Sequence, residues 1–103
     1  MYPEWSPEEV AEKLTRGEKL NLVDVRERDE WQQGHIAQAR LIPLSELTNR
    51  LDELKQGNEP IIMVCRSGGR SGKACDYLAS LGYSVINMKG GMLAWTDDVV
   101  TGD

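Results

Sequence analysis

Two cysteines and one histidine are all the Cys and His that 103 residues offer to a metal site. Cys65 and Cys75 form no CxxC pair, so a disulfide framework and a clustered metal site are both excluded, and His35 cannot build a metal site alone. The opening residues Met1-Tyr2-Pro3-Glu4-Trp5 lack the basic region and apolar core of a signal peptide. No apolar run approaches the length that spans a bilayer. Positive charge is in the minority: 12 Lys and Arg against 17 Asp and Glu leave a net charge of −5. That balance argues against nucleic acid and against anionic membranes as general partners. Repeats, low-complexity segments and linkers are also missing. The expectation is one domain over residues 1–103 in a reducing, cytoplasmic setting, where a free thiol persists.

What is present is an ordinary globular composition, 40% apolar and 28% charged, with strand and helix patterns in alternation. Ser6-Pro7-Glu8-Glu9 starts a helix, with Ser6 as N-cap, Pro7 at the first helical position and Glu9 closing a capping box. Val10, Ala11 and Leu14 supply its buried stripe, and Gly17 stops it. Leu20 to Val25 reads as a strand buried on both faces. Arg28 to Gln33 is a short helix closed by Gly34, and Leu41-Ile42-Pro43 a brief strand. Leu44, Leu47, Leu51 and Leu54 fall at helical spacing. The run Ile61 to Val64 predicts a strand, followed by a helix burying Ala74, Leu78 and Leu81. Ser84 to Met88 is a last strand, and Gly90-Gly91 turns into a short helix carrying Met92 to Trp95. Short strands joined through helices predict an α/β fold: a mainly parallel sheet of about five strands, covered on both faces in three layers. Ligands bind such sheets beyond the carboxyl ends of the strands. Asp24, Cys65 and Met88 mark three such ends, so their loops should meet.

Cys65-Arg66-Ser67-Gly68-Gly69-Arg70-Ser71 is the most informative segment. A strand that ends in a thiol and turns through glycines into a helix start directs backbone N–H groups towards one point. Arg66, Arg70 and Lys73 add local positive charge in an acidic chain. Both conditions lower a cysteine pKa from its usual value near 8.5. Gly68 and Gly69 give the backbone freedom for a tight ring. Ser67 and Ser71 are candidate hydroxyl donors, and Ser71 is also a candidate helix cap. Cys65 is therefore the candidate nucleophile, activated by an electrostatic cradle rather than by a general base.

The segment Cys65 to Ser71 resembles the active-site loop of rhodanese-type sulfurtransferases, and the resemblance runs through nearly the whole chain. Asp24-Val25-Arg26 is similar to the family's Asp-x-Arg strand end. Glu30-Trp31, Gly34-His35-Ile36, Ala39 and Ile42-Pro43-Leu44 follow its signature in order, with Ala37-Gln38 where the family often has Pro-Gly. Gly90-Gly91-Met92-Leu93-Ala94-Trp95 resembles its C-terminal element. The resemblance implies a single rhodanese-like domain in which Cys65 takes the outer sulfur of a small anionic donor such as thiosulfate. A Cys65 persulfide would then pass that sulfur to cyanide, a thiol or a protein. Arg66 and Arg70 would hold the donor, the loop amides would bear the persulfide, and no metal or organic cofactor would be needed. An alternative is a sulfur carrier or interaction module that relays persulfide sulfur between proteins. Cysteine phosphatases and arsenate reductases are a further reading; the four residues between Cys65 and Arg70, against five in such phosphatases, favour sulfur.

Other residues have structural readings. Asp24 and Arg26 are placed to brace the loop, with Glu30 as a possible partner for Arg26. Cys75 reads as a packed residue rather than a resolving thiol, and His35 as structural. Trp31 and Trp95 read as anchors, with the pocket wall as a second place for Trp95.

Overall fold

Strict alternation of side chains decides the architecture. In the computed structural model, which describes residues 2–55 and 57–103, five strands form one parallel sheet. They are β1 (Glu4–Trp5), β2 (Asn21–Asp24), β3 (Arg40–Leu41), β4 (Ile61–Val64) and β5 (Val85–Met88). Their spatial order is β1-β5-β4-β2-β3, and every pairing is parallel. Val23, Ile61, Met63 and Val85 point to one face, under the helix α3 (Gly69–Ser80) and the leucines Leu47 and Leu54. Leu22, Ile62, Val64, Ile86 and Met88 point to the other, under Val10 and Leu14 of the helix α1 (Pro7–Thr15). Both faces are dry, which is why β2, β4 and β5 are buried at every residue. The fold is the expected three-layer α/β arrangement.

The α1 start forms as its sequence dictates, Ser6 accepting from the Glu9 amide and the Glu9 carboxylate accepting from the Ser6 amide. The helix α2 (Arg28–Gln33) is a single short turn and a half ending at Gly34. Three details differ from expectation. Leu44 to Leu54 is not one helix but two 3-10 segments, Leu44–Asn49 and Leu51–Glu53. The spacings Leu44–Leu47 and Leu51–Leu54 are each three, which suits three residues per turn. Arg50 lies between the segments at φ −130, outside helical space. Leu81 is 51% exposed rather than buried, because α3 ends at Ser80 and the Tyr83 amide bonds back to Leu78 O, bringing Tyr83 against the core instead. Finally, β1 carries no sequence signal of its own and exists through its pairing with β5. Among the described residues no helix is long and apolar enough to cross a membrane.

Candidate functional site

Cys65 follows the last residue of β4 and stands three residues before the N-cap of α3. Its side chain is fully buried, yet polar hydrogens surround the sulfur. The Gly68 amide donates to Cys65 Sγ at 3.0 Å and the Ser71 hydroxyl lies 3.2 Å from it. Burial by itself raises the thiol pKa, but the Ser71 hydroxyl and the amides of Ser71, Gly68 and Ser67 outweigh it, so the group is held below its ordinary value. A cysteine merely packed in the core behaves differently. Cys75, inside α3, is pushed up to about 12, first by burial and then by the nearby charges of Asp76, Glu4 and Cys65.

Local backbone geometry makes the cradle. Gly68 caps α3 at φ 96, a left-handed conformation that turns its amide towards the sulfur. Gly69 needs no such freedom; it is the first helical residue. Ser71 is not the cap but sits within the first turn, where its hydroxyl reaches Cys65 Sγ, Gly68 O and Asn87 Oδ1. From the other side the 3-10 turn Gly91–Ala94 closes on the loop. The Met92 amide donates to Cys65 O at 2.8 Å and the Leu93 amide to Arg66 O at 2.9 Å. This approach requires glycine at 91: a Cβ there would stand 2.3 Å from Cys65 O.

The arginines divide their work. Arg70 is taken up by Glu30, with two bonds of 2.8 Å between α3 and α2. Arg26 pairs not with Glu30, as the sequence suggested, but with Asp24 two residues away, and it also donates to Gly34 O. Asp24 and Arg26 thus tie the end of β2 to the end of α2 and do not touch the cysteine loop through these bonds. Arg66 is exposed and, among the described residues, makes no ion pair. It lines an open cavity of about 430 Å³ with Arg26, Glu30 and Gly34, opposite Met92 and Leu93. A larger cavity, about 520 Å³, lies elsewhere, beside Lys19, Leu20 and Arg40, and includes none of the loop residues.

His35 stacks on Trp31, ring centroids 3.5 Å apart, and its Nδ1 bonds Trp31 O. Trp95 packs against the α1-side core and donates to Asp98 O. Both are anchors. Among the described residues no group of three or more His, Cys, Asp and Glu is placed to hold a metal ion. The sequence reading missed Asn87 and the Glu30–Arg70 pair. Asn87 had a signal: it is the one amide side chain in the apolar run of β5, on the face that α3 covers.

Residues 6–98 match the family model of the rhodanese-like domain. A protein named "Sulfurtransferase" from Allochromatium vinosum is 36% identical over 96 residues, covering 92% of this chain and 89% of the relative. "Putative sulfur carrier protein YrkF" of Bacillus subtilis is 40% identical over 95 residues, covering 91% of this chain but 51% of that protein. The crystal structure of a rhodanese-like domain protein from Staphylococcus aureus superposes with a TM-score of 0.88 at 33% identity, each chain covered completely. The chain belongs to the rhodanese-like domain family.

Proposed function

We propose that this protein is a sulfurtransferase that carries sulfane sulfur as a persulfide on Cys65. The observation behind the proposal is the converging set of donors on a buried sulfur, which lowers the Cys65 pKa in a place where burial alone would raise it. In the first half-reaction the thiolate attacks the outer sulfur of an anionic donor such as thiosulfate. A Cys65 S–S bond forms, the donor's S–S bond breaks, and sulfite leaves with the bonding pair. In the second, a thiophilic acceptor (cyanide, a thiol or a protein) attacks the outer sulfur and the thiolate returns. Negative charge stays at the cradle throughout, so the same amides serve both steps. Arg66, exposed and without an ion pair among the described residues, is the group for the donor's anionic end. Arg70 contributes field from its pair with Glu30 rather than a free fork. The four residues between Cys65 and Arg70 support sulfur over phosphate chemistry.

Incubation with thiosulfate followed by intact-mass measurement is expected to add one sulfur to the wild type and none to Cys65→Ser. A wild type that gains no sulfur from thiosulfate or from a persulfide donor overturns the reading. Equal gain by the serine variant shows that the residue is wrong. The second reading, a carrier that receives sulfur from a partner protein, is favoured by the name of the Bacillus subtilis relative. It predicts loading by a partner with poor turnover on thiosulfate and cyanide.

A further inference from the structure

Ser71 carries a single hydroxyl proton and has three acceptors within reach: Cys65 Sγ, Gly68 O and Asn87 Oδ1. The orientation of Asn87 is fixed by its other partners. Its Nδ2 faces Glu4 Oε2 at 3.2 Å and Gly68 O at 3.3 Å. A carboxylate and a carbonyl both need a donor opposite them, so the NH2 group must lie on that side. Asn87 Oδ1 is then left facing Ser71, and an amide oxygen can only accept. It therefore competes with the cysteine sulfur for one proton. Glu4 stands opposite Asn87 in the β1–β5 register, so the amide is held from the strand side as well as by the Gly68 carbonyl.

We propose that Asn87 is a positioning residue for sulfur transfer, acting through Ser71: its amide oxygen holds the Ser71 proton while the Cys65 sulfur is neutral and releases it to the sulfur when charge develops there. The inference rests on Cys65 being the sulfur-carrying nucleophile. In the thiol state the Cys65 S–H donates to Ser71 Oγ and Ser71 donates to Asn87. On ionisation the thiol proton leaves to solvent, and the Ser71 hydroxyl rotates towards the thiolate. Asn87 Oδ1 then loses its donor, a cost that opposes ionisation and keeps the thiolate from being over-stabilised. A sulfur held too firmly as an anion is a weaker nucleophile. Asn87 sets this balance without touching the substrate.

Other charges also bear on Cys65. Arg66 and Arg70 lie on its own loop, with Glu30 of α2 on Arg70. Cys75 and Lys73 belong to α3, Asp24 and Arg26 to the end of β2, and Glu4 and Tyr2 to the β1 side. Apart from Glu4, which holds Asn87, none of them acts through the Ser71 hydroxyl, which is what the test exploits.

The rate of iodoacetamide alkylation of Cys65 is measured against pH in the wild type, Asn87→Ala, Ser71→Ala and the double variant. Ser71→Ala removes a donor, so its midpoint rises. Asn87→Ala frees the Ser71 proton for the sulfur, so its midpoint falls, by about half a pH unit or more if one ordinary hydrogen bond is redistributed. In the Ser71→Ala background the Asn87 change has no further effect. An upward shift in Asn87→Ala, no shift, or a shift that survives without Ser71 overturns the proposal. Should Asn87→Ala not fold, the near-isosteric Asn87→Leu, which also lacks the acceptor, serves instead. Its downward shift must vanish in the Ser71→Ala background. Alkylation requires no sulfur transfer, so this test can fail while thiosulfate still loads Cys65.

Discussion

Glu30 and Arg70 form an ion pair beside the cysteine loop, and its energetics follow from where each group sits. The Arg70 guanidinium, through its hydrogen bonds, holds the Glu30 carboxyl at about 2 against the opposing effect of burial. The folded value lies below the unfolded one, near 4.3. The pair's contribution is therefore fully present above about pH 4.3 and is lost as pH falls towards 2. Arg70 remains 37% exposed, so solvent screening reduces the full shift to about 1 kcal/mol of stability. Urea unfolding at pH 7 should show Glu30→Gln destabilised by about that amount, and the two proteins should converge near pH 2. A difference that is the same at both pH values would mean that Glu30 stabilises by packing and not by charge. Asp24 and Arg26, buried together, brace α2 itself. The support of the loop is thus relayed from β2 through α2 to Arg70, rather than delivered by Asp24 or Arg26 directly.

At the level of elements, the turn after β5 holds the glycine with the tightest surroundings. Gly91 has φ 58, and an added Cβ would meet Cys65 O at 2.3 Å and Arg66 O at 2.7 Å. The left-handed conformation alone costs an L-residue about 1–2 kcal/mol. The clash is with backbone that accepts the Met92 and Leu93 amides, so it cannot be relieved by a rotamer change. Gly91→Ala should lose about 2–4 kcal/mol in thermal or chemical unfolding and slow sulfur loading of Cys65. Retention of full loading would show that the latch on the Cys65 and Arg66 carbonyls is dispensable. The local elements were largely readable beforehand. The capping box of α1, the Gly34 stop of α2, the apolar runs of β2, β4 and β5, and the thiol–glycine–serine loop are all written in neighbouring residues. What escaped was decided at a distance. Two residues of β1 become a strand only by lying against β5. The Asn87 contact to Ser71 and the Glu30 grip on Arg70 join positions 16 and 40 apart in sequence, which no local pattern encodes.

For the whole molecule, the relevant comparison is between its size and the reach of its charge. The chain measures 32 × 28 × 23 Å and carries a net −5. At 0.15 M ionic strength the screening length is about 8 Å, so an approaching anion senses Arg66 and little of the acidic remainder. At 0.01 M it is about 30 Å, comparable with the molecule, and the overall negative charge acts on the donor. Loading by thiosulfate should therefore slow, relative to alkylation by neutral iodoacetamide, as salt is lowered from 0.15 to 0.01 M. A ratio that rises instead would mean that the Arg66 side of the site dominates the long-range field.

The parallel order β1-β5-β4-β2-β3 has a consequence for the timing of site assembly. Cys65 follows the central strand, but the turn that grips its carbonyl follows β5, and β5 is in turn flanked by β1. During synthesis the cysteine loop and its amides emerge before residues 85–93, so the grip on the Cys65 and Arg66 carbonyls forms after the loop itself has been made.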